Sequence, residues 1–396
     1  MELRVDIAAG LLLIAAVVAM LSRRLHLPYS AGLVAVGLAL GVALLPFSPA
    51  ISLTKDLIFT VLLPPLVFEA ALGLPWKKLR EDFLVILVLA TVGVLISAGF
   101  TAVGMHYLAR WEWLSAALFG ALIAATDPVS VIATFREAGA HGRLLLLVEA
   151  ESLFNDGTAA VAFGVVVAFA TGHGSSGLSV APATVLMIGG GVMCGAMVAG
   201  SVLVLAGHTE DHLVEITFTT VAAYGSFLLA EHFNFSGVLA TLTAGLMLGS
   251  NASEVISGRG REAVQAFWEY AAFVANSMVF LLIGIHGARQ NLASVWVAAC
   301  LAILLVTLGR AVAVYPCCWL FSRSARRVPA RQQHVLFWGG LRGALALALA
   351  LGLPAEVPGR EQIITVSFAV AAFSIFAQGL TMKPLLRKWG EIPALL

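Results

Sequence analysis

Apolar runs of about 17–25 residues, the length a helix needs to cross a bilayer, recur from one end of this chain to the other. They are continuous rather than alternating, which excludes a transmembrane barrel. Composition agrees: 60% of the 396 residues are hydrophobic and only 11% are charged, less charge than a water-facing surface uses. The expected fold is an all-α polytopic membrane protein. Thirteen spanning segments are expected, near 7–21, 31–46, 57–73, 83–108, 113–134, 144–171, 182–207, 213–231, 236–250, 264–285, 293–321, 333–353 and 361–381. "MELRVD" at the start reads as the approach to a first span, not as a cleaved signal, and no soluble regulatory domain is expected after the last.

Lysine and arginine set the expected orientation. Sixteen of them, from Arg23 and Arg24 to Arg387 and Lys388, fall on one side of the segments. Only five, Arg4, Lys55, Arg110, Arg289 and Arg360, fall on the other. The rich side is the cytoplasm, which puts the N-terminus outside and the C-terminus inside. The two basic residues left over, Arg310 and Arg342, lie within apolar segments. Net charge is +1, so bulk charge points to no partner, and nothing marks a nucleic-acid binder. The four cysteines read as small core residues, and no metal spacing or cofactor motif is present.

Two segments are interrupted. The fifth carries "AATDPVSV" and the twelfth carries "WGGLRGALA". Pro128 has no N–H, so Ala124 loses its helical partner, and Asp127 is pushed away from helical dihedrals. Freed carbonyls at membrane depth are tolerated only inside protein or along a water-filled cavity. Interrupted helices at matching places in two halves point to a transport site near the midplane. Six segments, a linker helix and six more give two inverted-topology repeats. A freed carbonyl and the Thr126 hydroxyl are hard oxygen ligands suited to a small cation; a simple proline kink patched by Thr126 and Asp127 is the plainer alternative.

The sixth segment holds "VEAESLFNDGTAAV", with three carboxylates in eight residues. Ser152 and Asp156 are i,i+4 and share a face, with Glu149 on the same stripe; Glu151 and Asn155 form a neighbouring i,i+4 pair. A structural ion-pair network explains acids here as well as a functional site does. Charge balance sorts them. Arg310 and Arg342 cannot lose their protons, so each needs a carboxylate, and Asp127 and Glu151 are the expected partners. Asp156 is then left without a cation. A buried carboxylate must hold either a proton or a metal ion, and that competition is the basis of exchange. Glu69, in "LLPPLVFEAAL", is either another acid near the site or a helix-end carboxylate reaching the interface. His208 and His212 in "GHTEDH" read as a solvated turn. "GHGSSG" at Gly172 to Gly177 reads as a loop, and the glycines at 189–191 as a packing face.

"ATDPVSV", "ESLFNDGTA" and "GLRGALALALAL", in this order and spacing, resemble the NhaP/NHE branch of the monovalent cation/proton antiporters. "LLPPLVFEAAL" and "GRAVAVY" fit the same pattern, and the resemblance runs from about residue 7 to 381. It implies that Asp156 binds the proton and the cation, with Asn155 beside it. Ser152, Thr126 and Glu69 complete the ion shell, with Na⁺ held at Asp156, Ser152 and Thr126. It also implies the pairs Glu151–Arg310 and Asp127–Arg342, holding crossed broken helices. The implied architecture is a core bundle, drawn from residues 57–171 and 264–381, moving like an elevator against a dimerisation bundle from 7–46 and 182–250. Relatives with two adjacent aspartates move net charge. Asn155 cannot titrate, so an electroneutral exchange of one H⁺ for one Na⁺ or Li⁺ is expected, in the lipid of the cell (inner) membrane, by a homodimer, for pH and sodium homeostasis. A K⁺/H⁺ antiporter of the same fold and an ion channel are the competing readings, and a membrane enzyme is the least expected.

Overall fold

The computed structural model describes residues 5–25, 27–44, 54, 56–137, 142–170 and 180–392. Arg4, Lys55 and the glycine-rich stretch Gly172 to Gly177 lie outside them. Among the described residues there is no strand, and a lone antiparallel bridge joins Asp127 to Leu341. The α-helices run α1 (Val5–Leu25), α2 (Tyr29–Leu44), α3 (Leu63–Gly73), α4 (Trp76–Val88), α5 (Val94–Ala109), α6 (Trp113–Ile123), α7 (Val129–Glu137), α8 (Arg143–Ala170), α9 (Val180–Ala206), α10 (His212–His232), α11 (Gly237–Val255) and α12 (Gly258–Gly287). They continue as α13 (Trp296–Trp319), α14 (Ala330–Trp338), α15 (Ala344–Leu351), α16 (Arg360–Phe373) and α17 (Gly379–Lys388).

Eight helices among the described residues are long and apolar enough to cross a membrane. Several are joined through π turns. Leu57–Leu62 leads into α3, where Pro64 and Pro65 supply no N–H to the turn before them. Leu89–Gly93 joins α4 to α5, and Ser374–Gln378 joins α16 to α17, so that each pair reads as one long span. The short helices α6, α7, α14 and α15 arise where the interrupted segments break, over residues 124–128 and 339–343.

The helices sort into two bundles by packing. In one, α12 lies along α2 and α3, while α9, α10 and α11 pack together and α10 and α11 also pack onto α3. The contact of α2 with α12 is close because Gly37 meets Gly284 backbone to backbone; a Cβ at either would run into the other helix. In the second bundle α5 packs on α6 and α13, and α8 lies against α6 and α4. There α13 also meets α14 and α16, and α15 meets α16 and α6. The two broken helix pairs belong to this second bundle, and their breaks cross inside it.

Candidate ion-binding site

The crossing is held by backbone. Asp127 donates its N–H to the carbonyl of Leu341 at 2.7 Å, tying one break to the other. Both chains are extended there because proline and glycine remove helical continuity: Pro128 in the first, Gly339, Gly340 and Gly343 in the second. Each half-helix then ends at membrane depth with unpaired polar groups, carbonyls at one kind of end and N–H groups at the other.

Charged side chains meet those ends. The Arg342 guanidinium donates to the carbonyls of Ala124 at 2.8 Å and Ala125 at 3.0 Å, at the C-terminal end of α6, where a cation is favoured. The Asp127 carboxylate accepts from the Val129 N–H at 3.0 Å, at the start of α7. It also lies so close over Gly343, at the start of α15, that a Cβ there would collide with it. An anion is favoured at such N-termini. The expected side-chain pair between Asp127 and Arg342 is therefore not formed. Each group compensates a helix end, and the two residues are joined through the backbone bridge beside them.

The other expected pair is direct. Glu151 of α8 accepts from Arg310 of α13 through both oxygens, at 2.9 and 2.8 Å. Both side chains are buried, and Arg310 also donates to the Leu336 carbonyl of α14 at 3.0 Å. A two-pronged pair with its remaining donors used is the geometry in which burying two charges is tolerable.

One turn along α8, Asn155 is wholly buried and acts as a clip. Its carbonyl accepts the Thr126 N–H at 3.1 Å, and its amide donates to the Thr126 hydroxyl at 2.5 Å and to Glu151 Oε1 at 3.1 Å. Ser152 donates to the carbonyl of Thr126. The irregular backbone at the break is thus satisfied by α8 side chains at i and i+3. Asn155 was expected beside the ion; the structure puts it behind Thr126, off the cavity wall.

In front of that wall is a cavity of about 260 Å³. Asp156, Ser152, Thr126 and Asp127 line it from the second bundle, and Glu69 of α3 lines it from the first. Of the expected ion shell, all but Asn155 therefore face one space. Asp156 has no ion pair or side-chain hydrogen bond among the described residues, and the charges that act on it, Asp127 and Glu151, share its sign. Apolar Leu66, Val67, Ile132 and Leu345 complete much of the lining. Two polar residues join it that the sequence reasoning did not place in the site. Glu149 was legible as part of the Asp156 stripe. Asn276 of α12 was not: it stands in the apolar half of a long helix, with no proline or acid within a turn to flag it.

The arrangement offers carboxylate, hydroxyl and backbone carbonyl oxygens on one side of a largely apolar cavity, a donor set for a small hard cation. Residues 11–388 match the family profile described as "Sodium/hydrogen exchanger, transmembrane". The chain belongs to this family. The exchanger is 38% identical to the Na⁺/H⁺ antiporter ApNhaP of Aphanothece halophytica, over 93% of this chain and 70% of that one. It is 32% identical to the Na⁺/H⁺ antiporter NhaH of Halobacillus dabanensis, over 96% of this chain and 97% of that one. Its fold is similar to the solved sodium proton antiporter MjNhaP1 of Methanocaldococcus jannaschii, with a TM-score of 0.77 at 19% identity, covering 98% of this chain and 96% of that one. This exchanger is accordingly a multi-pass protein of the cell membrane, in a family of transporters rather than enzymes.

Proposed function

We propose that this chain exchanges Na⁺ or Li⁺ for H⁺ across the membrane, one for one and without net charge movement, through competition for Asp156, and so serves pH and sodium homeostasis. The single observation that carries this reading is the Asp156 carboxylate: it faces the cavity with no cationic partner among the described residues, while the neighbouring Glu151 is fully committed to Arg310. A bare carboxylate in an apolar interior costs several kcal/mol, so the site holds either ligand and is empty of both only at a penalty. Ser152, the Thr126 carbonyl and Glu69 are the further oxygens the cation would meet, with Asp127 setting the field beside them. The names of the relatives, Na⁺/H⁺ antiporters, support Na⁺ as the cation.

The reading includes thirteen spans in two inverted halves, with the N-terminus outside and the C-terminus inside. Crossed breaks at matching places in the two halves support it. The packing favours a boundary between bundles other than the one drawn from sequence. Segments 57–73 and 264–285, now α3 and α12, pack with α2, α10 and α11, so they join the stationary, dimer-forming scaffold. The moving core is then α4–α8 and α13–α17, with the cavity on the seam. The cavity extends along α8 as far as Glu149, along α7 past Ile132 and along α3 to Ala70, and it also takes in the first residues of α15 up to Ala346. The reading takes the open side as the one where α8 begins at Arg143, an inward-facing state. On the far side Gln290 and Thr365 bond across the seam at 2.7 Å, and His286 stacks on Phe368.

The test is proton-coupled exchange by purified protein in liposomes, with Na⁺, Li⁺ and K⁺ compared side by side and the membrane potential clamped. Na⁺ and Li⁺ are expected to drive proton movement at a rate that does not change with voltage. A rate profile against pH should be bell-shaped. Low pH fills Asp156 with protons and bars the cation; high pH starves the return step. A preference for K⁺ would move the reading to a K⁺/H⁺ antiporter, and single-channel currents would end the exchange reading.

A further inference from the structure

At the basic end of the second bundle, a cavity of about 750 Å³ opens beside the end of α13. Its charged lining is Arg323 and Arg327, joined by Ser322, Gln333 and Trp319. Neither guanidinium has an acidic partner within salt-bridge distance among the described residues. The loop that carries them is held in place. Arg143 donates to the carbonyls of Arg327 at 2.7 Å and Arg326 at 2.8 Å, while its own charge is met by Asp82 at 2.7 Å. Arg326 in turn donates to the Glu81 carbonyl at 2.8 Å. Two guanidiniums without an acidic partner, carried on a held loop, therefore line one space.

The floor of that space is apolar and continues sideways. Tyr315 lines both this cavity and a neighbouring groove of about 470 Å³ walled by Phe337, Trp338, Leu385 and Trp389. Trp319 and Leu320 are 72% and 65% exposed at the mouth, the amphipathic position tryptophan takes at a membrane–water boundary. Positive charge above an aromatic, lipid-facing groove calls for a ligand with an anionic head and an apolar tail. Free phosphate would use the arginines and leave the groove uncovered; a zwitterionic lipid would bring a second cation against them.

We propose that Arg323 and Arg327 form a site for the phosphate of an anionic phospholipid, one of whose acyl chains lies in the groove of Phe337, Trp338, Leu385 and Trp389. Guanidinium binds phosphate through paired N–H donors in a fixed fork, and basic pockets at the cytoplasmic ends of helices suit such headgroups. The site belongs to the bundle assigned to the moving core, at the foot of α14, which leads into the second break.

The test uses the full-length protein in detergent, titrated with a phosphatidylglycerol, a phosphatidylcholine of the same chains, or inorganic phosphate. Phosphatidylglycerol is expected to raise the melting temperature by about 4 °C at roughly a hundredfold excess over Kd, with little change from the other two. The double variant Arg323→Gln/Arg327→Gln should lose that rise. The control Arg259→Gln/Arg261→Gln, which removes two basic residues elsewhere on the same side, should keep it. An equal rise with phosphatidylcholine, an equal rise with phosphate, or a rise that survives in the first variant or disappears in the control would each overturn the site. None of these readouts depends on transport, so they stand apart from the exchange reading.

Discussion

Glu151 and Asp156 lie five residues apart on one helix, in one buried stretch, and their surroundings could hardly differ more. Glu151 gives both oxygens to Arg310 and a third contact to Asn155. Asp156 faces a cavity and is flanked by charges of its own sign. A helix of 3.6 residues per turn puts positions five apart on different faces. One face looks into the bundle, where α13 can supply an arginine. The other looks toward the seam with α3 and α12, where no arginine is among the described residues that line the cavity. The same side-chain chemistry is a strut on one face and, in the proposed reading, an exchangeable ligand on the other, and what separates them is the presence of a fixed cation.

Removing the exchangeable charge should have the largest effect on activity. Asp156→Asn keeps the shape of the side chain but can hold neither a proton nor the charge that attracts a cation. Proton-coupled Na⁺ exchange in liposomes is expected to fall to the protein-free background. The melting temperature should hold or rise, because an uncompensated buried charge has gone. Wild-type exchange by this variant would mean that Asp156 is not the carrier. A large fall in melting temperature would mean that it is a strut like Glu151.

The mirror experiment acts on the strut. Arg310→Ala leaves Glu151 buried without its partner, which costs about 3–5 kcal/mol. Thermal unfolding followed by tryptophan fluorescence should show the loss. Changing both members together, Glu151→Met with Arg310→Met, should recover much of it, since no bare charge remains. If the double change is as unstable as the single one, the pair contributes through its contacts with Leu336 and Asn155 more than through charge.

Asn155 sharpens the comparison from between the two acids. Asn155→Asp removes the N–H groups that reach Thr126 and Glu151 and sets a carboxylate against Glu151. A loss of about 1–3 kcal/mol of stability is expected from the broken buried bonds. Exchange measured with the potential clamped should remain insensitive to voltage, because position 155 is off the cavity wall. Voltage-dependent transport would show that a carboxylate here does reach the ion.

Much of this was legible in the sequence because each signal was local. Apolar length marked the spans. Pro128 and the glycines of "GGLRG" marked the breaks, and the i,i+4 spacing of Ser152 and Asp156 put them on one face. The Glu151–Arg310 pair followed from charge balance and resemblance. What failed was the Asp127–Arg342 pair that the resemblance implied. Counting charges asked for a carboxylate at each buried arginine, but half-helix ends carry partial charges that no count of Asp, Glu, Lys and Arg contains. Asn155 and Asp156 are adjacent in sequence yet turned about 100° apart on α8, one onto Thr126 and the other to the cavity, a distinction set by where the broken chain lies. The seam was missed for a related reason. Segments 57–73 and 264–285 are apolar like the rest, and only close packing, such as Gly284 on Gly37, tells which bundle they join.

Asn276 is where that seam becomes measurable, with the smallest expected effect. Its amide lines the cavity from α12, across from Asp156, and has no side-chain hydrogen bond among the described residues. An amide in a membrane interior needs a polar partner, and the cavity's water or cation is the one on offer. In the proposed elevator reading α12 is part of the scaffold, and Asn276 would help only while the core sits in its inward position. Asn276→Ala should therefore raise the apparent KM for Na⁺ about three- to tenfold, on the order of 1 kcal/mol, when Na⁺ is supplied on the cytoplasmic face of oriented vesicles. The KM from the opposite face, the maximal rate and the voltage response should stay as they are. A variant with a raised KM on both faces would place Asn276 in the moving core and redraw the boundary between the bundles. An unchanged KM on both would mean that Asp156, Ser152 and the Thr126 carbonyl bind the ion without help from the scaffold.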